Sequence, residues 1–193
     1  MSQLIFYYGT MKSGKSLDLI KTYMNYKVKG EKVFIGKPIL DDRDGKEIKT
    51  RLGLSVECKL IPQAINILPL MIKEAYEKDN ISAVLIDEAQ FLTDYQVAEL
   101  VKIADDGIPV ICWGLKNDFT SSLFEGSRAL LELADKFQEI KTVCQYCEKK
   151  ATLNLRLKNG EPADLDDNQI EIGDEEYVQV CRKHFYNAYK NKI

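Results

Sequence analysis

The chain has 193 residues, enough for one large domain or for one sizeable core with a small appendage. Its residues are 45% hydrophobic and 30% charged with both signs interspersed, the profile of a water-soluble globular protein, and no apolar run approaches the ~18–20 residues of a membrane helix. A formal net charge of -3 gives no basic field to concentrate nucleic acid, which disfavours a duplex-binding role.

Residues 4–8, Leu-Ile-Phe-Tyr-Tyr, are branched and aromatic and end at Gly9, which predicts a buried strand. The same N-terminus has no basic start and no long apolar stretch, so it does not read as a secretory signal. Residues 16–29 carry Leu17, Leu19, Ile20, Tyr23, Met24 and Val28 at helical spacing, closed by Gly30. A second strand is predicted over 33–36. Residues 38–53 are polar, contain Asp41-Asp42-Arg43-Asp44-Gly45, and read as one long loop of the kind that is usually functional or disordered. A strand over 55–60 and a helix over 62–78, with Pro62 near its first turn, come next.

Residues 83–86, Ala-Val-Leu-Ile, form a continuous apolar run, as expected of a central parallel strand buried on both faces. Helix 93–104, strand 109–113, helix 124–134 and strand 140–143 complete an alternation that predicts an α/β parallel sheet. Beyond 143 the character changes to a short strand-like run at 152–157 and a polar stretch at 159–169, both lying between two cysteine pairs. Two units are expected, 1–143 and 144–193.

Gly9-Thr10-Met11-Lys12-Ser13-Gly14-Lys15-Ser16 satisfies G-x-x-x-x-G-K-[ST] between a predicted strand and a predicted helix. The chemistry needs these residue types. Gly9 and Gly14 permit a tight turn whose amide hydrogens converge on phosphate oxygens, and the helix beginning near Lys15 adds its positive N-terminal end. Lys15 is placed to reach the β- and γ-phosphates, and Ser16 to ligate Mg²⁺. Nucleotide binding with Mg²⁺ is the expectation.

Asp87 follows the apolar run 83–86, where phosphate-loop proteins place the acid that holds Mg²⁺. Glu88 lies one residue on, at the carboxyl edge of the strand, and can serve as general base for an attacking hydroxyl. This pair does not separate a kinase from an ATPase, because the glutamate could polarise water instead.

Five cysteines without a signal point to a reducing, cytoplasmic setting in which clustered cysteines hold metal more often than they form disulfides. Cys144-Gln145-Tyr146-Cys147 and Cys181-Arg182-Lys183-His184 are pairs of C-x-x-C and C-x-x-H form, and His184 is the sole histidine. Two such turns facing each other supply a closed tetrahedral Cys₃His shell, which argues for structural Zn²⁺ that staples a segment too small for its own core. Cys58 and Cys112 lie in apolar runs and read as ordinary buried cysteines.

Taken in this order, the phosphate loop, Asp87-Glu88-Ala89-Gln90-Phe91 and the C-terminal cysteine pairs resemble the zinc-containing, cellular type of thymidine kinase family, in its bacterial branch. The resemblance spans essentially the whole chain. It includes Asp41-Asp42-Arg43 with Arg51-Leu52-Gly53-Leu54, then Gly114-Leu115-Lys116-Asn117-Asp118-Phe119, Phe124-Glu125-Gly126-Ser127 and the stretch from Tyr177 to His184. It implies a RecA-like P-loop sheet with helices on both faces, joined to a small zinc-ribbon or lasso unit. The implied reaction moves the γ-phosphoryl group of ATP to the 5′-hydroxyl of thymidine or deoxyuridine. Glu88 matches the family's base, Asp87 its Mg²⁺-associated acid, Ala89 and Gln90 the rest of that motif, and Asp41 and Arg43 positions near the phosphates. Met11, Phe91, Leu115, Phe119, Phe124 and Tyr177 fall where the family builds its nucleoside pocket, an apolar and aromatic wall suited to stacking a pyrimidine. A lasso over roughly 159–177, including Ile170, Ile172 and Gly173, would hold the pyrimidine edge through backbone groups and close as a lid. The family also implies a homotetramer and feedback inhibition by thymidine triphosphate, while the charge and the apolar run lengths predict no nucleic-acid or membrane partner. The chain departs from the pattern at Thr10, where proline is common, at Lys12, and at Asn154, which stands where some members have a threonine beside the base.

Two rivals compete with this reading. One is a different phosphate-loop ATPase or nucleotide kinase; no Asn-Lys-x-Asp motif for guanine is present. The other is a zinc-ribbon module that binds nucleic acid, which would need a basic surface with stacking aromatics, whereas Glu161, Asp164, Asp166, Asp167, Glu171, Asp174, Glu175 and Glu176 make the segment acidic.

Overall fold

In the computed structural model, residues 3–41, 44–64, 66–165 and 176–190 are described. The elements in chain order are β1 (Leu4–Gly9), α1 (Lys15–Val28), β2 (Val33–Pro38), β3 (Glu47–Lys49), β4 (Ser55–Glu57), β5 (Lys59–Ile61), α2 (Ile67–Asp79), β6 (Ala83–Ile86) and a 3₁₀ turn (Ala89–Phe91). There follow α3 (Asp94–Asp105), β7 (Val110–Leu115), α4 (Glu125–Leu133), β8 (Lys136–Glu139), β9 (Leu153–Lys158), β10 (Glu161–Pro162), β11 (Glu176–Val180) and α5 (Arg182–Tyr189).

Six strands form one sheet in the order β5-β2-β6-β7-β1-β8, and every neighbouring pair is parallel. Because successive side chains of a strand point to opposite faces, each strand feeds two cores. Leu4, Phe6, Phe34, Val84, Ile86 and Cys112 face one side, where Ile72 of α2, Leu100 of α3 and Leu130 of α4 cover them. Tyr7, Ile35, Leu85 and Trp113 face the other side, packed with Leu19 and Ile20 of α1. The expected α/β sheet with helices on both faces is therefore present. Helix α3 opens on a capping box, in which the Thr93 hydroxyl accepts from the Gln96 N–H and the Gln96 side chain accepts from the Thr93 N–H.

After β8 the chain builds a second, antiparallel sheet, β10-β9-β11, with α5 against it. Its own apolar cluster is small: Leu155, Val178, Val180, Phe185 and Tyr189 beside the buried Cys144 and Cys181.

Several boundaries differ from the sequence reading. The long loop 38–53 contains β3, which pairs with β4 in a hairpin, and the single strand expected over 55–60 divides between that hairpin and β5 of the main sheet. Helix α2 begins at Ile67 rather than at Pro62. The Pro62 carbonyl accepts from Gln96 Nε2 at 2.7 Å, which ties 62–64 to α3, and the proline of the helix's first turn is Pro69. The last strand of the main sheet is Lys136–Glu139, not 140–143. Its Lys-Phe-Gln-Glu sequence is polar because it lies at the exposed sheet edge, so only its pairing with β1 identifies it.

Among the described residues no helix is long and apolar enough to cross a membrane.

Candidate active site

The phosphate loop leaves β1 at Gly9, where a Cβ would stand 2.4 Å from Ser13 Oγ and 2.7 Å from the Ile140 carbonyl, so only glycine fits. It enters α1 through Gly14 at φ 89°, a left-handed turn that glycine adopts without strain, while Lys12 holds φ 63° with a side chain. Lys15 is buried and its ammonium donates to the Thr10 carbonyl at 2.9 Å, folded back along the loop.

In the first turn of α1, the Ser16 hydroxyl donates to Asp87 Oδ2 at 2.8 Å, across 71 residues of sequence. This contact follows from the parallel sheet, which sets the carboxyl ends of β1 and β6 side by side with only β7 between them. Asp87 is 2% exposed. Burial, reinforced by the neighbouring Glu88 charge, pushes its carboxyl up to about 7 against the opposing Ser16 hydrogen bond. Its Oδ1 is buried and has no hydrogen-bond partner among the described residues. A serine hydroxyl and a carboxylate with an unused oxygen make a hard-oxygen donor set of the kind that takes Mg²⁺.

Glu88 adopts φ 50° and ψ 36°, a left-handed conformation rare for a residue with a side chain, and leads into the 3₁₀ turn. Its carboxylate accepts from Gln90 Nε2. The other end of the Gln90 amide accepts from the Leu115 N–H at 2.9 Å, so one glutamine ties the acid turn to the end of β7.

These groups open on a cavity of about 730 Å³. Met11, Lys12, Gly14, Lys15 and Ser16 of the loop line it together with Asp41, Asp87, Glu88 and Gln90, and so do the apolar and aromatic Phe91, Leu115, Phe119, Phe124 and Tyr177. Phe91 and Phe124 meet edge to face at 5.6 Å. Gly9, Thr10, Ser13 and Ala89 do not line the cavity. Arg43, Ile170, Ile172 and Gly173 fall outside the described residues.

The structure adds residues that sequence reasoning missed. Lys37 at the end of β2 is 1% exposed and pairs with Asp41 at 3.3 Å on the cavity wall. The hairpin of β3 and β4 brings Lys49, Arg51 and Leu52 to the same cavity, anchored at its root by the buried Ile48. Buried Arg156 holds its guanidinium 4.4 Å from the centre of the Phe119 ring, a cation–π contact behind the aromatic wall. Arg51 and Leu52 belong to a stretch that carries the resemblance but were not read as site residues; Lys37, inside an apolar strand, and Arg156, which differs from a surface arginine only through the fold, have no local signature.

The four expected metal ligands converge. Cys144 Sγ and Cys181 Sγ each lie 3.4 Å from His184 Nδ1, and Cys147 Sγ lies 3.8 Å from Cys181 Sγ. A tetrahedron with metal–sulfur bonds of about 2.3 Å has edges of about 3.8 Å, so the donor set fits Zn²⁺. The His184 backbone N–H holds the Cys181 thiol low, at about 6, which favours the thiolate a metal requires. Cys58 and Cys112 are buried, and burial pushes both thiols up, Cys58 to about 11.

The thymidine kinase family model matches residues 2–185. Among curated relatives, a thymidine kinase of Streptococcus pyogenes serotype M3 is 46% identical over 190 residues, covering 97% of this chain and 98% of the relative. One from Streptococcus thermophilus is 45% identical over an alignment of 200 positions, covering 100% of this chain and 98% of its own. Identity at that level over nearly complete lengths, on a chain whose phosphate loop, paired acids and aromatic wall share one cavity, establishes that this protein belongs to the thymidine kinase family.

Proposed function

We propose that the chain transfers the γ-phosphoryl group of ATP to the 5′-hydroxyl of thymidine, and also of deoxyuridine. The observation that carries this reading is the shared cavity, lined both by the loop with two carboxylates and by apolar and aromatic side chains. The loop amides and Lys15 would hold the β- and γ-phosphates, with Lys15 turning from the Thr10 carbonyl to the incoming anion. Ser16 and Asp87 would hold Mg²⁺. That ion supplies charge neutralisation at the transferring phosphoryl group.

Phe91, Phe124, Phe119 and Tyr177 would clasp the pyrimidine and exclude water, turning the 5′-hydroxyl toward the acids. Glu88 would accept the hydroxyl proton as the oxygen attacks the γ-phosphorus, with ADP leaving on the opposite side. Gln90 keeps the Glu88 carboxylate aimed by donating to it. Asp41, partnered with Lys37, and Arg43 would border the phosphates.

We further assign Zn²⁺ to Cys144, Cys147, Cys181 and His184, and to the unit 144–193 the role of a lid over the nucleoside through Ile170, Ile172 and Gly173. A cytoplasmic homotetramer inhibited by thymidine triphosphate completes the reading on the family resemblance.

The test is phosphate transfer from ATP–Mg²⁺ to thymidine, deoxyuridine, deoxycytidine and thymidine monophosphate. Transfer to thymidine and deoxyuridine alone is expected. Hydrolysis of ATP with no transfer to any of them would refute the nucleoside kinase reading and favour an ATPase.

A further inference from the structure

We propose that Asn154 is a positioning residue that sets the phosphate loop from the zinc-bearing module, so that affinity for ATP depends on a side chain of the other sheet. Asn154 lies on β9 and is 3% exposed. Its Oδ1 accepts from the Met11 N–H at 2.8 Å, and its Nδ2 donates to the Asn117 carbonyl at 3.3 Å. A backbone N–H demands an acceptor and a carbonyl a donor, so these two partners fix which way the amide points. One side chain thereby joins three segments: the phosphate loop, the exit of β7 that leads to Phe119, and β9.

The strand beneath Asn154 is itself fastened to the metal-binding turn. Asn154 is in register with Gln179 on β11, and the Gln179 carbonyl accepts from the Gln145 N–H, between Cys144 and Cys147, at 2.9 Å. Thr152, two residues before Asn154, donates to the Val180 carbonyl at 2.9 Å, next to Cys181. A chain of short contacts thus runs from the cysteine turn to the Met11 amide.

The phosphate loop has reason to need an outside hold. Lys12 and Gly14 both take left-handed conformations within three residues, and Lys12 does so with a side chain. Truncating Asn154 leaves the half-buried Met11 N–H without its partner and frees the loop to leave the binding conformation. Apparent affinity then falls by the fraction of molecules that keep that conformation.

The experiment measures binding of a non-hydrolysable ATP analogue with Mg²⁺, without nucleoside, to zinc-loaded wild type and to Asn154→Ala, together with KM and kcat. The variant is expected to bind the analogue about tenfold more weakly, with KM for ATP raised more than kcat is lowered. In the wild-type protein, hydrogen exchange at the Met11 amide is expected to be slow and to accelerate when zinc is chelated. Unchanged analogue affinity in the variant, an effect confined to KM for thymidine, or fast Met11 exchange in the zinc-loaded wild type each overturns the proposal. If the variant does not fold, the wild-type exchange measurement decides alone. The inference rests on the phosphate loop binding ATP; wild type failing to bind the analogue would refute that reading, whereas unchanged affinity in the variant refutes only this one.

Discussion

Gly126 offers a sharp test of how the acid turn is held in place. It sits in the first turn of α4, and a Cβ built there would lie 2.5 Å from the Ala89 carbonyl, 2.6 Å from that of Leu92 and 3.0 Å from that of Gln90. Ordinary Cβ contacts begin at 3.4 Å, so Gly126→Ala is short of room by about 0.9 Å against backbone that cannot swing aside. The helix cannot simply retreat, because Ser127 Oγ donates to the Leu115 carbonyl and Glu125 Oε1 accepts from the Asp94 N–H at 3.0 Å. Overpacking of this kind costs about 1–3 kcal/mol, and at this chain length each kcal/mol lowers Tm by roughly 2–4 °C. The upper half of that range applies, giving a fall of about 4–12 °C in a calorimetric or fluorescence melt. The displaced turn begins at Glu88, and a misplacement of about 1 Å near the reacting atoms lowers turnover by as much as 10²-fold. Thymidine phosphorylation should therefore lose about 10–100-fold in kcat, with KM for ATP within about twofold because the phosphate loop lies on another strand. Wild-type Tm together with wild-type kcat would refute the reasoning.

Glu88→Gln should abolish transfer, with loss of at least about 10²-fold in kcat, while the ATP analogue still binds; unchanged turnover would remove Glu88 as base. Burial and the neighbouring Glu88 charge push the Asp87 carboxyl up to about 7, above the value of an unfolded carboxylate. The folded state therefore binds this proton more tightly. Its contribution to stability is fully present below the unfolded value of about 4 and is lost as pH rises through about 7. Because Mg²⁺ needs the ionised form, affinity for the Mg²⁺–nucleotide should instead rise about tenfold from pH 6 to pH 8, and Asp87→Asn should flatten the profile. A flat wild-type profile by calorimetry would contradict this. Removing zinc with a chelator, or replacing Cys181 by Ser, should open residues 144–190 to protease while the larger sheet stays resistant, since the small C-terminal core has few apolar side chains of its own. An unchanged cleavage pattern would show that this module stands without metal.

Features encoded over a few adjacent residues could be read without the folded chain. The phosphate loop was legible because Gly9 through Ser16 are contiguous and strand, turn and helix are local structures with their own periodicity. Asp87 and Glu88 were legible because an apolar run marks a strand buried on both faces, and the carboxyl edge of such a strand is where ligands bind. The candidate metal ligands stood out because two turns repeat one spacing. Tertiary structure alone decided what depends on distant partners. β8 is a strand only because β1 offers it hydrogen bonds at the sheet edge, and β3 is a strand only because β4 pairs with it. Lys37 and Arg156 became buried cations beside the site through packing, not composition. The link from Asn154 to Met11 spans 143 residues, and no local pattern announces a hydrogen bond between an amide side chain and a backbone N–H from another sheet. Backbone periodicity is written in short stretches of sequence, whereas the partners that orient a site's side chains are chosen by the whole folded chain.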